Sequence, residues 1–408
     1  MPRPHYPPTR IDAVVDLLHG ESIPDPYRWL EDSESDETRA WTAAQNELTR
    51  RYLEAIPERV AIRRRLEQLL TIGAISAPTP ARGRYFYQRR DGTENQPVLY
   101  VRDGVQGDDR VLIDPNFLNA EGTTALDWFY PSDDGALLAF GLSENGSEES
   151  VLRVLRVATG EALLDRIPDT RACDLAWLPD GSGFYYTRYP GEGQVPDDER
   201  QYHRAVYFHR LGADPADDPL VHQPAAKEHW PGVSISPDGR WLLVTVARTF
   251  DQTDLYLQDR VKGGPLVPVV TNQPFQFEGI LGYGVLFVRS NVEGTTYGLY
   301  RVDPERPARD RWTAIVPPRP DAVLDGASLA RGKLGLSYLE QASSRLVVVD
   351  QDGANRRQVD LPTLGSLAGW GAEPEGDELF YAFSSYTVPP SVYRVDLASG
   401  AVTLWRRV

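Results

Sequence analysis

The serine residues of this 408-residue chain show no arrangement typical of a hydrolase nucleophile. Such a serine sits in a Gly-x-Ser-x-Gly string on a strand-to-helix turn, where its hydroxyl is exposed beside backbone N–H donors. The two nearest strings are Gly326-Ala-Ser-Leu-Ala and Gly141-Leu-Ser-Glu-Asn, and each lacks the last glycine. Both lie in strand or turn patterns with no helix after them. The sequence therefore predicts no catalytic serine, and no Ser-Asp-His triad, within these residues.

The histidines and the single cysteine do not form a recognisable site either. His203 and His209 could share one strand face, but a zinc ion needs three or four ligands and no others accompany them. Cys173 lies among Ala172, Leu175 and Ala176, which predicts a small buried residue rather than a nucleophile. The sequence also has no P-loop or dinucleotide-binding glycine motif. We expect no metal and no cofactor.

Charge and composition exclude further classes. The chain has 43 Lys and Arg residues against 59 Asp and Glu, a net charge of −16, and acidic surfaces repel nucleic acids and anionic membranes. No apolar run reaches the roughly 20 residues of a membrane span, and the first residues lack the apolar core of a signal peptide. With one cysteine, no internal disulfide can form, so we predict a cytoplasmic protein, with the periplasm as the alternative.

A turn followed by an apolar strand recurs along the chain. Clear copies are Pro131-Ser-Asp-Asp-Gly-Ala-Leu-Leu and Ser236-Pro-Asp-Gly-Arg-Trp-Leu-Leu. The copies recur about every 50 residues, which is typical of four-stranded propeller blades. The pattern predicts an all-β fold, a seven-bladed β-propeller over residues 73–408. The turn glycines are Gly83, Gly135, Gly181, Gly239, Gly284, Gly332 and Gly376.

The first and last blades each have their own strands in the sequence. We predict the first blade from strands near 75–80, 85–90, 98–102 and 111–113. The last is predicted from strands near 367–369, 379–384, 392–396 and 402–405. Because neither end has a spare strand to lend, we expect an unlatched ring whose first and last blades meet only through side chains.

Residues 1–72 have a different pattern and predict a short helical arm. An extended start leads through Val14-Val15-Asp16 to two helices. The first is predicted from Asp36 to Ala55, with Trp41, Ala44, Leu48 and Tyr52 on one face. The second is predicted to begin at Pro57, with Val60, Leu66, Leu69 and Leu70 on its apolar face. Two such helices need a further surface to cover their apolar faces.

Motifs along the whole chain resemble those of prolyl oligopeptidases. The propeller strings that carry the likeness include Gln96-Pro-Val-Leu-Tyr-Val and Tyr207-Phe-His-Arg-Leu-Gly. The most specific string lies in the arm, and oligopeptidase B relatives usually keep only a looser version of it, which favours the prolyl branch. This signature run consists of Asp25, Pro26, Tyr27, Arg28, Trp29, Leu30, Glu31 and Asp32.

The resemblance implies a role for the chain beside a catalytic domain. In that family the arm packs on an α/β-hydrolase domain that follows the propeller and carries the triad. The propeller admits short proline-containing peptides, which are cleaved after proline. This sequence ends at Val408, about where the family enters the hydrolase domain. We therefore expect that domain to be absent from this chain, and the chain alone to be inactive as a serine endopeptidase.

The resemblance also implies four residues that face the cavity between propeller and hydrolase. Arg248 corresponds to a basic residue that meets the substrate, and Phe250 shares its loop. Arg171 and Cys173 belong to a segment of the third blade that borders the site. The family often has an aromatic residue where this chain has Arg171, so the peptide preference is expected to differ. For each position, an ordinary loop role is the alternative.

The sequence leaves three other functions as alternatives. A stand-alone propeller scaffold that binds proteins would leave the arm without a partner surface. An oligopeptidase B-type peptidase portion shares the architecture. A sialidase-type glycosidase needs Ser-x-Asp-x-Gly-x-x-Trp turns, whereas here aspartate and glycine are adjacent, as in Asp238-Gly239.

Overall fold

The structure is a computed structural model that describes residues 5–408. The chain divides between Ile72 and Gly73 into two compact units. The first unit holds a hairpin and two helices, and the second holds seven antiparallel sheets in sequence order. The prediction of a seven-bladed propeller with two helices near the N-terminus is confirmed.

The N-terminal unit begins with a hairpin that the sequence analysis missed. His19 and Gly20 have φ angles of 53° and 86°, as a two-residue left-handed hairpin turn requires. The stretch predicted as a simple extended segment therefore folds back on itself. The elements of this unit are β1 (Val15–Leu18), β2 (Glu21–Pro24), α1 (Asp36–Glu54) and α2 (Arg59–Leu70).

The first helix agrees closely with its predicted bounds, and its start has a clear local cause. The Ser35 hydroxyl accepts the backbone N–H of Thr38 at 3.2 Å, which satisfies one free donor of the first turn. Asp36 and Glu37 add negative charge at the positive end of the helix dipole. Ala55 closes the helix as its C-cap.

The second helix begins two residues later than predicted. Pro57 lies in a turn between the helices, in which the N–H of Arg59 bonds to the carbonyl of Ile56 at 3.1 Å. The first helical bond runs from Ile62 N–H to the carbonyl of Glu58. The fixed φ of proline therefore shapes the connection here rather than the first helical turn.

The seven blades of the second unit are contiguous in sequence. Each has four antiparallel strands, ordered from the ring axis outward as in the chain, and the innermost strand of blade 1 is divided into two parts. Blade 1 comprises β3 (Ala74–Ile75), β4 (Thr79–Ala81), β5 (Arg84–Arg90), β6 (Val98–Asp103) and β7 (Asp109–Ile113), and blade 2 comprises β8 (Thr124–Pro131), β9 (Leu137–Glu144), β10 (Val151–Arg156) and β11 (Ala162–Ile167). Blade 3 comprises β12 (Leu175–Trp177), β13 (Gly183–Arg188), β14 (Ala205–Arg210) and β15 (Leu220–His222). Blade 4 comprises β16 (Trp230–Ile235), β17 (Trp241–Thr249), β18 (Gln252–Asp259) and β19 (Val267–Val270). Blade 5 comprises β20 (Phe277–Gly282), β21 (Val285–Ser290), β22 (Gly298–Val302) and β23 (Thr313–Val316). Blade 6 comprises β24 (Val323–Ala330), β25 (Lys333–Glu340), β26 (Ser343–Asp350) and β27 (Arg357–Val359). Blade 7 comprises β28 (Ser366–Ala372), β29 (Glu378–Ser384), β30 (Ser391–Asp396) and β31 (Val402–Arg407).

The innermost strand of blade 1 is interrupted, contrary to the prediction of one strand over 75–80. Its two parts, β3 and β4, both pair with β5. Between them the Ser76 hydroxyl accepts the N–H of Gln88 at 3.0 Å, and Pro78 has no N–H to offer the ladder. The first strand of blade 7 is longer than predicted and has an irregularity between Leu367 and Trp370.

In six of the seven recurring turns the glycine has the left-handed conformation that the sequence predicted. In Ser236-Pro-Asp-Gly, the Ser236 hydroxyl accepts the N–H of Trp241 at 2.8 Å, and Asp238 accepts that of Arg240 at 3.1 Å. Gly239 has a φ of 72°, which glycine adopts without strain. The prediction was wrong for Gly376, which is not left-handed: its turn forms around Pro374, with Gly376 N–H bonded to the carbonyl of Glu373.

The hydrophobic core lies between the blades rather than within them. Leu243 and Leu255 of blade 4 pack with Phe277 and Leu286 of blade 5, and comparable clusters join the other neighbours. Both faces of each blade are therefore covered, which explains why the second strands are apolar throughout.

Aromatic side chains close the ring between blades 7 and 1. Trp405, on the last strand, contacts Tyr87 of blade 1 edge to face with ring centroids 5.2 Å apart, and Phe380 of its own blade at 5.5 Å. Tyr85 packs on Phe380 at 5.3 Å. Among residues 5–408, no strand of one end joins the sheet of the other. The prediction of an unlatched ring is confirmed.

Charged groups reinforce the same seam. Asp109 of blade 1 accepts hydrogen bonds from Arg102 at 2.6 Å and forms an ion pair with Arg406 of the last strand. Burial alone would raise the pKa of Asp109, but the nearby Tyr87 hydroxyl, the hydrogen bonds from Arg102 and the charge of Arg406 outweigh burial and lower it. Asp109 thus stays ionised and binds the two ends of the propeller together.

A buried histidine joins blades 2 and 3. His209 is fully buried between Asp165, 3.0 Å from Nε2, and Asp218, 2.9 Å from Nδ1. The Tyr186 hydroxyl donates to Asp218, and the N–H of Gly212 donates to Asp165. Burial alone would lower the pKa of His209, but the two carboxylates outweigh burial and raise it. The imidazolium form therefore bridges the blades.

This bridge predicts a pH dependence of stability. Because the folded pKa of His209 is raised, its contribution is fully present below the unfolded value of about 6.5 and is lost as pH rises through the folded pKa. We expect His209→Gln to weaken the fall in unfolding free energy between neutral and alkaline pH. Urea unfolding across this range measures the effect.

His222→Gln is the matched control, because burial lowers the pKa of His222 and gives a dependence of opposite sign. Parallel pH profiles for wild type and His209→Gln would contradict the bridge.

The aromatic seam predicts where the ring opens first. We expect Trp405→Ala to destabilise the propeller by about 2–3 kcal/mol, since a half-buried aromatic side chain is lost. Hydrogen exchange should show that the amides of blades 1 and 7 lose protection before those of blade 4. Trp312→Ala, which removes a half-buried indole beside Phe277, should loosen blades 4 and 5 instead. Equal loss of protection across all blades would count against the seam.

Candidate functional site

The strand order gives the propeller two different faces. The connections between first and second strands, and between third and fourth, lie on one side, which we call the turn face. The second-to-third connections and the links from blade to blade lie on the other side, the loop face. Val408 Cγ1 lies 3.1 Å from the position that a Cβ of Gly73 would occupy. Both ends of the propeller unit therefore lie side by side on the loop face.

All four predicted cavity residues belong to the loop face. Arg171 and Cys173 lie in the link between blades 2 and 3, Arg248 lies near the end of β17, and Phe250 lies in the turn before β18. Their side chains differ in accessibility.

Arg171 is held at the rim by neighbouring loops. Its guanidinium donates to Glu148 at 2.7 Å and to Gln201 at 2.8 Å, and 36% of its side chain is exposed. Glu148 belongs to the blade 2 loop and Gln201 to the blade 3 loop. Arg171 therefore ties these two loops together on the exposed face.

The Cys173 thiol is enclosed in the core instead of lining an open cavity. Its side chain is 3% exposed and packs in the cluster between blades 2 and 3. Burial raises the pKa of the thiol to about 12. The interpretation of Cys173 as a small buried residue is confirmed, and the thiol itself is not accessible as a cavity group.

Arg248 and Phe250 share one loop but not one environment. The Arg248 guanidinium lies 3.0 Å from Asp254 and donates to the carbonyl of Gln273 at 2.5 Å, so the side chain is mostly buried. Phe250 is fully exposed. The structure thus presents one fixed arginine and one unsupported aromatic ring at this end of blade 4.

Trp230 and Arg204 contact the neighbours of the predicted cavity residues Arg248 and Arg171, and the sequence did not predict them. Trp230 begins the inner strand of blade 4 and pairs with Ala247, the neighbour of Arg248. Arg204 immediately precedes β14 and is 2% exposed. It donates to the carbonyl of Ala172, between Arg171 and Cys173, at 2.5 Å. No sequence signal marked them, because their contacts join different blades.

The signature run is a structural element of the N-terminal unit. Arg28 forms ion pairs with Asp25, at 2.5 Å, and with Asp16 of the hairpin, and it lies 3.6 Å from Glu31. Hydrogen bonds from Arg28 to these aspartates raise its pKa. The Asp32 carboxylate accepts the N–H of Glu34. The charged residues of the run thus fasten the hairpin to the segment that leads into α1.

The apolar part of the run packs on the first helix. Trp29 contacts Trp41 edge to face at 6.4 Å, and its indole N–H donates to the carbonyl of Arg10 at 3.1 Å. The carbonyl of Trp29 accepts the hydroxyl of Thr38. Pro26, Tyr27 and Leu30 complete the bend, and Tyr27 is 44% exposed. The run therefore builds the arm and offers no catalytic arrangement.

A cavity of about 280 Å³ opens around the ring axis on the turn face. Its lining comes from blades 1, 2, 4, 5 and 7 and includes Pro80, Pro131, Pro237 and Pro374. The Tyr283 hydroxyl of blade 5 donates to Glu375 of blade 7. This hydrogen bond joins two blades that are not neighbours, at the lining of the cavity.

Within residues 5–408, no cluster of histidine, cysteine and carboxylate side chains is suited to hold a metal ion. In the same part of the chain, no helix is both long and apolar enough to cross a membrane.

Comparison with known proteins identifies the family. Residues 6–408 match the family model described as prolyl oligopeptidase, N-terminal beta-propeller domain. A prolyl endopeptidase of Elizabethkingia miricola is 28% identical over 414 residues, covering 98% of this chain and 57% of that protein. The prolyl oligopeptidase ophP of Omphalotus olearius is 30% identical, covering 95% of this chain and 57% of that protein. The chain thus spans little more than half the length of these relatives.

Solved structures show the same fold. A structure from a study of two prolyl endopeptidases and their inter-domain dynamics has a TM-score of 0.91 and 32% identity, covering 99% of this chain and 60% of that one. Prolyl oligopeptidase B of Galerina marginata, bound to a 25mer macrocyclization substrate, has a TM-score of 0.86 at 21% identity, covering 98% and 60% of the respective chains, and supports the fold alone. The chain therefore belongs to the prolyl oligopeptidase family, as its N-terminal β-propeller portion.

Proposed function

We propose that this chain is the gating propeller and substrate-cavity wall of a prolyl oligopeptidase, a serine endopeptidase that cleaves short peptides after proline. The observation that carries the proposal is the match of residues 6–408 to the family's propeller domain. Because the relatives are nearly twice as long as their match, the reaction itself is assigned to a catalytic α/β-hydrolase domain outside these residues.

The loop face has the character of a docking surface for that domain. Eight large apolar side chains are exposed there, against four at or beside the connections of the turn face, namely Leu220, Val261, Val267 and Tyr283. An apolar surface of this extent marks an interaction site. The adjacent positions of Gly73 and Val408 place both ends of the propeller unit on the same face. Its exposed apolar residues are Phe117, Leu118, Tyr202, Trp230, Phe250, Leu339, Leu364 and Tyr386.

The N-terminal unit offers a second surface for the same partner. The apolar side chains of the hairpin and of α2 remain exposed, with Leu17 at 71% and Val60 at 67%. We assign residues 1–72 the role of an arm that packs on the hydrolase domain, since helices of this kind gain stability mainly by covering an apolar face. Its other exposed apolar residues include Leu18, Ile23, Leu66, Leu69 and Leu70.

In the proposed enzyme the propeller selects substrates by size. The cavity of about 280 Å³ at the axis has no room for a folded protein, and the hydrogen bond between Tyr283 and Glu375 ties together two of the blades that line it. Arg171, Arg248 and Phe250 lie on the opposite face, where they would form part of the wall around a bound peptide. A serine of the hydrolase domain attacks the carbonyl after proline, with a histidine as base. This chain contributes confinement and positioning.

The proposed location is the cytoplasm. The chain has only one cysteine, and the structure buries it, so the fold needs no oxidising compartment. The periplasm is the alternative, and detection of the tagged protein in separated cell fractions distinguishes the two.

We predict that the 408-residue chain alone does not hydrolyse a fluorogenic Gly-Pro substrate. A fusion of Val408 to the remaining part of the Elizabethkingia miricola prolyl endopeptidase should hydrolyse it and should cleave short proline-containing peptides. The same fusion should leave folded proteins intact, because the propeller confines the site. Fluorescence assays and mass spectrometry of the products measure both effects.

A fusion that lacks the nucleophilic serine is the control for contaminating peptidases. Turnover by the 408-residue chain alone would contradict the assignment of chemistry to another domain. A folded fusion without activity would favour a stand-alone protein-binding scaffold instead.

A further inference from the structure

The connection between β9 and β10 in blade 2 contains the only Asn-Gly pair of the sequence, Asn145-Gly146. The two residues have φ angles of 55° and 72°, so both are left-handed and form the centre of a tight turn. The N–H of Ser147 closes this turn on the carbonyl of Glu144 at 3.0 Å. Both central residues are exposed. The pair is therefore held on the loop face in contact with water.

The two groups that could react with each other in this pair are not engaged elsewhere. Among residues 5–408, the Asn145 carboxamide forms no hydrogen bond, and the N–H of Gly146 donates none. No heavy atom lies within 4 Å of the position that a Cβ of Gly146 would occupy. Only the exposed turn bond of Ser147 must open for the Gly146 nitrogen to reach the Asn145 side chain, and such a bond contributes little net stability.

This arrangement permits a reaction that needs no enzyme. The Gly146 amide nitrogen loses its proton and attacks Cγ of Asn145, the bond from Cγ to the side-chain nitrogen breaks, and ammonia leaves. The five-membered succinimide then takes up water. Opening at the side-chain carbonyl gives aspartate, whereas opening at the main-chain carbonyl gives isoaspartate, in which the chain runs through the former side chain. Water is the only co-reactant, and no atom changes its oxidation state.

The following glycine distinguishes Asn145 from the other left-handed asparagines. Asn272 and Asn355 have φ angles of 57° and 52°. They are followed by Gln273 and Arg356, whose side chains restrict the approach of the backbone nitrogen. A left-handed backbone is thus shared by all three, but an unhindered nitrogen is found only at Asn145.

The loop that contains the pair is short and fixed at both ends. At one end the Glu144 carboxylate accepts the Thr124 hydroxyl at 2.9 Å. At the other end Ser150 is 1% exposed, and its hydroxyl donates to Asp127. Isoaspartate adds one methylene group to the main chain between these fixed ends. The residues between them must therefore change position.

Two of the residues between the fixed ends hold the neighbouring blade. The Glu148 carboxylate accepts the Arg171 guanidinium at 2.7 Å, and the Glu149 carboxylate accepts the Gln201 side-chain amide at 2.7 Å. These two hydrogen bonds, which we call the loop tie, join blade 2 to the blade 2–3 link and to the blade 3 loop. Deamidation also places a new negative charge beside Glu148 and Glu149, and like charges repel.

We propose that Asn145-Gly146 is a site of spontaneous deamidation, and that isoaspartate formed there weakens the loop tie and releases Arg171. The inference goes beyond the proposed function, because the reacting groups and the loop tie all belong to this chain. Its tests need no active fusion enzyme, so failure of the peptidase assignment leaves it unaffected.

The first experiment detects the modification. The 408-residue chain is incubated at mildly alkaline pH, where the amide nitrogen loses its proton more readily. An isoaspartate methyltransferase assay and peptide mapping by mass spectrometry should find the product at Asn145, formed faster as pH rises, with Asn272 and Asn355 unchanged. Absence of product at Asn145, after a time that fully converts a synthetic peptide of residues 143–149, would overturn the proposal.

Asn145→Gly is the non-reactive variant. Glycine adopts the left-handed conformation without strain, so the turn is retained while the carboxamide is lost. We expect this variant to fold as wild type does and to form no isoaspartate in this loop. Isoaspartate formed in the same peptide of the variant would assign the reaction to another residue.

The second experiment measures the effect on the loop tie by hydrogen exchange. After incubation, the amides of residues 147–149 and 199–202 should exchange faster in wild type than in freshly prepared protein. Incubated Asn145→Gly should show no such change. Complete conversion to isoaspartate with unchanged exchange at residues 199–202 would reject the link between modification and tie.

A double variant tests the tie without the modification. Glu148→Gln combined with Glu149→Gln should accelerate exchange at residues 199–202 in freshly prepared protein, because both acceptors lose their charge. Glu161→Gln, which changes an exposed glutamate on the turn face of the same blade, is the matched control and should leave this exchange unaltered. Equal exchange in the double variant and the control would contradict the role of the loop tie.

Discussion

Burial between neighbouring blades is the constraint on which the rest of this structure depends. Each blade is apolar on both faces, so no blade is stable unless another covers it on each side. Six of the seven interfaces join blades that follow one another in the chain. The seventh joins the two ends, and there Trp405 packs against Tyr87 and Phe380 while Arg406 pairs with Asp109. A ring closed by side chains alone has one interface that can separate without breaking a sheet.

The same architecture gives the turn face and the loop face of the propeller different properties. Tight turns with left-handed glycines occupy one face, and other residues of these turns line the axial cavity. The other face carries longer connections, exposed apolar side chains and both ends of the propeller unit. Such connections tolerate variation because the strands beneath them are fixed by inter-blade packing. Side chains at the ends of strands can therefore be held rigidly, as Trp230 is at the start of β16.

Two buried cationic side chains, His209 and Arg204, have their charges compensated in different ways. His209 is enclosed by Asp165 and Asp218, so its charge is matched and it strengthens the contact between blades 2 and 3. Arg204 is buried in the neighbouring interface, where its guanidinium lies 4.4 Å from the Trp230 ring centroid and the nearby charge of Asp174 opposes the lowering of its pKa by burial. Both charges are compensated: carboxylates on either side pair with His209, whereas hydrogen bonds, a ring face and a nearby carboxylate surround Arg204.

Local sequence determined the architecture. Repeated Asp-Gly turns and apolar strands predicted seven blades, because hairpin geometry depends on a few adjacent residues. The same local rules located α1 within one residue, and failed at Pro57 and Gly376 where a proline-centred turn was the better local solution. Tertiary structure alone decided the site. It buried Cys173, engaged Arg171 and Arg248 with carboxylates, and brought Arg204 beneath Trp230 from another blade. These outcomes depend on contacts between residues far apart in the chain, and such contacts leave no periodic trace in a single sequence.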